Sequence, residues 1–302
     1  MSQLERLEQL AISQRCEVRN QESMKKHTTF KIGGPADLFI VVNDIPALQA
    51  VYTAAKELQV PCMVIGKGSN LLVKDSGIRG AVLQLGGTFL EIAQQQNCLT
   101  AGAGASLATV CGYALQQSLS GLEFAWGIPG SVGGAVFMNA GAYGEEMRGI
   151  LQSCTHMNPD GTVETVNADA LQLGYRSSIY QKTGAVVLGV TLQLTPGEKT
   201  QIKAKMGDLM GRRKEKQPLE YPSAGSVFKR PVGHFAGTMI EQCGLKGAAV
   251  GGAMVSRKHA GFIVNTGGAT CQNVLDLIAL IQRTVHEKTG VALECEVRAV
   301  GG

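Results

Sequence analysis

The sequence predicts an α+β protein with two main domains, and three observations lead to this prediction. The chain has 302 residues, which is enough for about two domains of ordinary size and for a large buried core. Stretches with helical and with strand-like periodicity alternate along it. Its 39 glycines include dense clusters beside short apolar runs. A hydrophobic share of 44% and a charged share of 17% exclude an intrinsically disordered chain.

The first two thirds of the chain combine short strands with two clearly marked helices. Residues 1–26 are predicted to form a helical arm followed by a polar link. Asp44 and Ser106 are each predicted to cap a helix, because the apolar residues behind them recur at helical spacing. The stretch 121–144 holds too much glycine for an ordinary helix or strand. Apolar runs predict strands at 39–42, 62–65, 81–85, 99–101, 162–166 and 185–194.

A change in composition near residue 197 predicts a domain boundary. Residues 196–198 (Pro-Gly-Glu) break the strand pattern, and a basic segment, 199–216, follows them. Farther on, the pattern predicts a strand at 262–264, a helix around 271–289 and a final strand at 293–299. We therefore expect three parts, namely an N-terminal helical arm over 1–26, a first domain over 27–196 and a second domain over 197–302.

Charge and cysteine content exclude several classes of function. A net charge of +4 is too weak for the dense basic face of a nucleic-acid-binding protein. No apolar run approaches the roughly 20 residues of a membrane span, and the polar, acidic start is no secretory signal. The eight cysteines form no Cys-x-x-Cys pair and no zinc-ligand pattern. The sequence therefore predicts a cytoplasmic protein with reduced thiols, and it predicts no metal, no nucleic-acid partner and no membrane insertion.

Three glycine-rich loops, at 66–70, 102–104 and 127–134, adjoin predicted strands or helices. A single loop of this kind is usually a plain turn. Several together favour a large phosphate-bearing ligand, because glycine lets backbone N–H groups approach an anion closely. The third glycine of the Rossmann fingerprint is missing after both Gly68 and Gly104, and no P-loop sequence occurs. The loops therefore predict a dinucleotide held by a different scaffold.

Six segments, in order along the chain, carry a resemblance to a known family. GKGSNLL at 66–72, GIPGSVGG at 127–134 and MNAGAYG at 138–144 are similar to the FAD-binding loops of the UDP-N-acetylenolpyruvoylglucosamine reductases, the MurB family. YRSS at 175–178, PSAGSVFKRP at 222–231 and ECEVR at 294–298 resemble that family's catalytic segments. No insertion follows Arg176, so the chain resembles the shorter, second subgroup, which lacks a tyrosine-loop lid.

The resemblance implies a vanillyl-alcohol-oxidase-type (PCMH-type) FAD-binding module of two α/β lobes, followed by an α+β substrate domain. It implies that NADPH reduces bound FAD, and that the flavin reduces the enolpyruvyl ether of UDP-N-acetylglucosamine to UDP-N-acetylmuramate, a peptidoglycan precursor. Non-covalent FAD is expected, because no histidine lies between residues 28 and 155, although Cys62, Cys98 and Cys111 remain open as attachment points. The expected FAD contacts are Gly66, Gly68, Ser69, Asn70, Leu71, Gly102, Ala103, Gly104, Pro129, Gly130, Ser131, Val132, Gly133, Asn139 and Gly141.

The resemblance assigns the catalytic roles to Arg176, Ser226 and Glu296. Hydride addition to the terminal alkene carbon moves negative charge toward the substrate carboxylate, and the two parallel donors of Arg176 suit that charge. Ser226 is expected to protonate the neighbouring carbon. Glu296 is expected to assist at the carboxylate, with its pKa raised by the like charge, or to orient a water. From the residues alone, an exposed arginine, a turn serine and a solvated strand face are the more common explanations of the three, and only the resemblance favours catalytic roles.

The resemblance also implies contacts to the UDP-sugar. Tyr175 is expected near the reacting end, and a basic set is expected on the sugar-nucleotide side. The expected substrate contacts are Tyr175, Lys216, Lys229, Arg230, His259 and Arg298. Two alternatives remain, an FAD-dependent oxidase on the same scaffold and a non-catalytic nucleotide-binding relic. The presence of all three catalytic residues argues against the relic.

Overall fold

The computed structural model describes residues 1–302 and divides them between two units. Unit one consists of Met1–Asn20, Leu38–Lys67 and Gly80–Arg212, and unit two of Gln21–Asp37, Gly68–Arg79 and Arg213–Gly302. The helices are α1 Gln3–Ser13, α2 Ile45–Glu57, α3 Leu107–Gln116, α4 Val132–Phe137, α5 Tyr180–Thr183, α6 Lys199–Lys216, α7 Ala236–Gln242 and α8 Cys271–Thr289. The strands are β1 Glu17–Ser23, β2 Pro35–Val42, β3 Cys62–Ile65, β4 Leu71–Val73, β5 Ile78–Leu85, β6 Ile92–Gln95, β7 Cys98–Gly102, β8 Leu119–Ser120, β9 Gly141–Ala142, β10 Glu145–Glu146, β11 Leu151–Met157, β12 Val163–Asn167, β13 Val186–Gln193, β14 Thr195–Pro196, β15 Ser223–Ser226, β16 Ala249–Val250, β17 Ala253–Val255, β18 Phe262–Asn265 and β19 Arg298–Val300.

Unit one is built on two larger sheets and one hydrophobic core. Five antiparallel strands pair in the order β12-β11-β13-β7-β6. A second sheet has the order β1-β2-β5-β3, with β3 and β5 parallel. α2 and α3 begin at the predicted caps, because the Asp44 carboxylate accepts the Ala47 N–H and the Ser106 hydroxyl accepts the Thr109 N–H. Apolar side chains of α1, α2, α3 and both sheets form a single buried cluster.

Unit two has a separate core around α8. Four antiparallel strands pair in the order β15-β18-β17-β16, and β4 pairs with β19 in parallel. Thr270 begins α8 with a capping box, and Gly290 ends it in the left-handed conformation. The Asp75 carboxylate accepts the N–H groups of Cys271 and Gln272 at 2.9 and 3.1 Å. These contacts fix the start of α8, whose apolar face is buried in this core.

The structure confirms the predicted helices and most predicted strands, and it differs at three places. Residues 17–23 form β1 instead of a polar link. The glycine-rich stretch contains the six-residue helix α4, which Ser131 caps. The predicted strand at 293–299 is wrong except at its end, where β19 begins at Arg298. Leu293 and Val297 are buried there as single apolar anchors, so their alternation mimics a strand.

The two units do not follow a single boundary in the sequence. Segments 21–37 and 68–79 group with the C-terminal third, and the chain passes from one unit to the other within α6, after Arg212. The assignment of functions to domains at 27–196 and 197–302 stays a prediction. No helix is long and apolar enough to cross a membrane, and all eight cysteines are free thiols.

Candidate active site

The glycines in the loops of unit one allow backbone segments to approach each other closely. A Cβ added to Gly66 would collide with the Ser131 hydroxyl, and one on Gly102 would collide with the Phe89 carbonyl. A Cβ on Gly133 would lie 2.9 Å from the Cβ of Ala103. The Gly133 N–H also donates to the Ala103 carbonyl at 2.9 Å. Larger residues at these three positions would therefore push each loop away from the segment that it contacts.

Several backbone amides in the loops are directed to no protein acceptor. The Ser131 hydroxyl accepts the Gly134 N–H at 3.3 Å, but the N–H groups of Gly130 and Ser131 themselves donate to no protein group. The same holds in unit two for the Ser69 N–H. The two adjacent donors of Gly130 and Ser131 suit phosphate oxygens, so this loop of unit one fits the diphosphate of a dinucleotide such as FAD.

Asn139 lies just beyond the C-terminal end of α4 and is completely buried. Its side-chain amide donates to a Glu146 carboxylate oxygen and to the Gly174 carbonyl, both at 2.9 Å, and its carbonyl oxygen accepts the Arg148 N–H. Its φ of 41° lies in the left-handed region, which asparagine tolerates better than most residues. Asn139 is expected to contact FAD, but its side chain makes its three hydrogen bonds with protein groups of unit one.

Tyr175 and Arg176 form the centre of a tight turn in unit one. Gly174 and Ser177 close the turn with two backbone hydrogen bonds of 3.1 and 3.2 Å. Arg176 has a φ of 52°, an uncommon conformation for a residue with a Cβ. Its guanidinium donates to the Gly141 carbonyl at 3.4 Å and lies 5.1 Å from the centre of the half-exposed Tyr175 ring. The turn therefore presents a cation and an aromatic ring together.

Ser226 in unit two lies at the end of β15, after a β-bulge. Ser223 pairs with Val264, but Ser226 pairs with Phe262, so β15 has one extra residue between these pairs. Gly225, with a φ of 78°, provides the backbone freedom that the bulge requires. The Ser226 hydroxyl donates to the Phe228 carbonyl at 3.2 Å. The bulge re-aims the serine side chain.

Backbone pairing brings Ser226 and Glu296 close together within unit two. The Glu296 N–H donates to the Val227 carbonyl at 2.7 Å, and the Lys229 N–H donates to the Glu294 carbonyl at 2.8 Å. Between these bonds, Phe228 and Cys295 form an isolated bridge. The Lys229 ammonium also pairs with the Glu294 carboxylate. A serine hydroxyl, a carboxyl group and an ammonium group therefore lie along two paired segments.

Asn70 links a glycine loop to the Glu296 segment within unit two. Its side-chain amide donates to the Glu296 carbonyl at 3.0 Å, and its carbonyl accepts the Arg298 N–H at 3.0 Å. The next residue, Leu71, begins β4 and pairs with Arg298. A Cβ on Gly68 would collide with the His27 carbonyl. The loop expected to contact FAD thus also supports the segment that carries Glu296.

His259 lies beside Ser226 in unit two. Its Nδ1 accepts the Gly261 N–H at 3.1 Å, and its ring contacts Phe262 edge-to-face. A Cβ on Gly261 would lie 3.0 Å from His259 Cε1 and 3.4 Å from Ser226 Oγ, so the missing side chain leaves space between the two. Burial lowers the pKa of His259 below its ordinary value, which favours the neutral imidazole near pH 7.

The other basic residues expected at the substrate are exposed. Lys216 is the last residue of α6, and Arg298 begins β19. The Arg230 guanidinium stacks 3.9 Å from the centre of the Phe235 ring, on a segment where Val232 is 99% exposed. No hydrogen bond or ion pair connects Lys216 with Ser226 or His259 within unit two.

Sequence reasoning missed two residues that organise this region. Gln181 donates to the Arg176 carbonyl at 3.0 Å and to the Phe137 carbonyl at 3.2 Å. Thr29 donates from its hydroxyl to the Ser223 carbonyl at 2.7 Å. Both act through backbone carbonyls, which leave no residue pattern in the sequence. Only the proximity of Gln181 to the YRSS segment could have indicated its role.

Comparison with known proteins identifies the family. The model of the C-terminal domain of UDP-N-acetylenolpyruvoylglucosamine reductase matches residues 217–300, and a model of an FAD-binding domain matches residues 36–167. The reductase of that name from Syntrophomonas wolfei is 48% identical over 284 residues, covering 94% of this chain and 95% of the relative. The one from Agathobacter rectalis is 50% identical over 309 residues, covering 98% and 96%. The chain belongs to the UDP-N-acetylenolpyruvoylglucosamine reductase family.

A solved structure supports the same family at the level of the fold. The reductase of Thermus caldophilus, at 37% identity, matches 94% of this chain and 99% of its own with a TM-score of 0.82. The predicted family and the predicted α+β class with an FAD-binding module are confirmed. As expected for the shorter subgroup of reductases, only nine residues, 177–185, separate Arg176 from β13.

Proposed function

We propose that Arg176, Ser226 and Glu296 act on the enolpyruvyl group of UDP-N-acetylglucosamine enolpyruvate. As a member of the reductase family, the chain is an FAD-containing, NADPH-dependent oxidoreductase that forms UDP-N-acetylmuramate for peptidoglycan synthesis. The observation that carries the residue assignment is the backbone pairing of Val227, the residue after Ser226, with Glu296, whose N–H donates to the Val227 carbonyl at 2.7 Å. This pairing holds the chain segments that carry the two residues next to each other.

FAD, once reduced by NADPH, supplies the hydride for the substrate alkene when it is bound. The amides of Gly130 and Ser131 in unit one have no protein acceptor, and we assign them to the cofactor diphosphate. The thiols of Cys62 and Cys111 are unsuited to covalent attachment, because burial raises the pKa of each to about 12. These contacts and thiols support a non-covalent cofactor.

Arg176 is the cation that stabilises the substrate carboxylate. Negative charge builds on this carboxylate as the neighbouring alkene accepts hydride, and a preorganised guanidinium lowers the energy of that charge. Before any substrate binds, the Arg176 guanidinium is already held by the Gly141 carbonyl and the Tyr175 ring. Little rearrangement is therefore needed when the charge develops.

Ser226 is the proton donor to the carbon next to the carboxylate. Its O–H bond breaks as the new C–H bond forms, so the hydroxyl must turn away from the Phe228 carbonyl that it now contacts. A serine hydroxyl is a weak acid, and its developing negative charge needs a nearby donor or cation. Lys229, three residues on, and Glu296 on the paired segment are the groups that support it.

The remaining expected residues serve substrate binding. We assign Tyr175 to the reacting end and Lys216, Arg230 and His259 to the UDP portion, with Arg298 beside Glu296. The fold has no helix that could cross a membrane, and we propose a cytoplasmic location. Through its product, the enzyme would support cell wall biogenesis, and thereby cell shape and division.

The Ser226→Ala variant tests the assignment in two separate half-reactions. Under anaerobic conditions, NADPH should reduce the flavin of this variant at the wild-type rate. Reoxidation by the enolpyruvyl substrate should slow by about 100-fold or more, the usual loss when a positioned acid is removed. Ser223→Ala is the matched control, because it removes a hydroxyl from the same strand before the bulge. Wild-type reoxidation in Ser226→Ala would remove Ser226 from the reaction.

A further inference from the structure

The turn that carries Arg176 is anchored at both ends on the C-terminal end of α4. Asn139, the second residue after α4, donates to the Gly174 carbonyl at 2.9 Å. Gln181 donates to the Arg176 carbonyl at 3.0 Å and, with its second N–H, to the Phe137 carbonyl at the end of α4. Two side-chain amides therefore connect the turn to one short helix, beside the Ser178 hydroxyl, which donates to the same Phe137 carbonyl at 2.7 Å.

The opposite end of α4 belongs to the loop whose amides lack protein acceptors. Ser131 caps the helix, and the unsatisfied N–H groups of Gly130 and Ser131 precede it. A helix rises about 1.5 Å per residue, so six residues separate its two ends by about 9 Å. Val132 and Val136 are fully buried, which fixes the helix in the core of unit one.

Arg176 needs such support because its conformation is strained. Its φ of 52° lies in the left-handed region, which is unfavourable for a residue with a Cβ. Without support, the Arg176 backbone would return to a more favourable conformation. The Asn139 amide is buried and has no unused donor, whereas Gln181 is exposed on α5. One anchor is therefore integral to the core and the other is a surface contact.

We infer that Asn139 and Gln181 are positioning residues, which act through Arg176 by fixing the Gly174–Ser177 turn on α4. This inference rests on the proposed role of Arg176 in binding the substrate carboxylate. It removes Asn139 from direct FAD contact through its side chain. It also gives a surface glutamine a function that its exposure alone would not indicate.

Two variants remove the anchors with little other change. Asn139→Gly deletes the three hydrogen bonds but keeps a residue that favours a positive φ. Gln181→Met keeps the length of an exposed side chain and deletes only its donors. Gln94→Met is the matched control, because Gln94 is another exposed glutamine whose amide donates to a backbone carbonyl, that of Gln96 at 2.7 Å.

The expected results separate positioning from general damage. FAD content and the rate of flavin reduction by NADPH should stay at the wild-type level. Anaerobic reoxidation by the enolpyruvyl substrate should slow about 10-fold in Gln181→Met and about 100-fold in Asn139→Gly, as expected for a misplaced charged group. Gln94→Met should match the wild type throughout.

A double-mutant cycle with Arg176→Ala decides the inference. If both amides act through Arg176, neither variant should slow reoxidation more than about two-fold further in the Arg176→Ala background. Equal slowing with and without Arg176, or wild-type reoxidation in Gln181→Met, would overturn the inference. Gln181→Met decides alone if Asn139→Gly does not fold. Normal reoxidation in Arg176→Ala itself would instead overturn the proposed role of Arg176.

Discussion

The turn that carries Arg176 in unit one and the strands that carry Ser226 and Glu296 in unit two are fixed by different kinds of contact. The turn has two backbone bonds of its own and depends on amides from Asn139 and Gln181. The segments that carry Ser226 and Glu296 pair through backbone hydrogen bonds. The Glu296 N–H and the Lys229 N–H each donate to a carbonyl of the other segment. Loss of Asn139 should therefore disturb the turn more than loss of Asn70 disturbs the paired segments.

The contrast also concerns backbone strain. Arg176 and Asn139 both have positive φ angles, so unit one holds its charged group in a conformation that the isolated turn would not prefer. In unit two, the positive φ beside Ser226 belongs to Gly225, for which it carries little strain. Preorganisation in unit one thus needs supporting side chains, whereas in unit two it follows from the strand register.

Asn70→Ala tests a side chain that supports the Glu296 segment directly, through the Glu296 carbonyl. Loss of the bond to the Glu296 carbonyl should slow reoxidation by substrate about 10-fold, because that segment gains freedom at the reacting end. Asn158→Ala, which removes an exposed asparagine amide from unit one, is the control. FAD absorbance per chain separates the two roles of Asn70. Reduced FAD content with a normal reoxidation rate would limit Asn70 to cofactor binding.

Arg176→Gly and Arg176→Ala should differ in stability although both lose activity. Glycine relieves the positive φ and alanine does not, so the glycine variant should be more stable by about 1 kcal/mol, or about 2 °C in melting temperature. The opposite order is expected at Arg283, an exposed position within α8, where glycine costs about 1 kcal/mol relative to alanine. The same order at both positions would show that the turn is not strained.

His259→Gln should have the smallest effect, and the effect should depend on pH. Burial lowers the pKa of His259, so between that pKa and about 6.5 the unfolded chain binds more protons than the folded one. The contribution of neutral His259 to the free energy of unfolding is therefore fully present above pH 6.5 and is lost as the pH falls. The melting temperature of the variant should therefore fall less than that of the wild type between pH 7 and 5. Equal losses would show that His259 titrates normally in the fold.

Elements with local periodicity could be predicted from the sequence, but contacts between distant residues could not. α8 matches its prediction because apolar spacing, the Thr270 cap and Gly290 all act locally. The segment around Glu296 was mistaken for a strand, because its true support comes from Val227 and Asn70, far away in the sequence. The motifs indicated Arg176, Ser226 and Glu296, but Gln181 had no pattern that distinguishes it from a surface glutamine.

Anaerobic stopped-flow absorbance of the wild-type protein tests the central claim most directly. The flavin is reduced with NADPH and then mixed with UDP-N-acetylglucosamine enolpyruvate in the absence of oxygen. The account predicts full reoxidation, with one UDP-N-acetylmuramate formed per flavin. A flavin that stays reduced until oxygen is admitted would instead identify an oxidase, and a chain purified without flavin would contradict the assignment of the glycine loops.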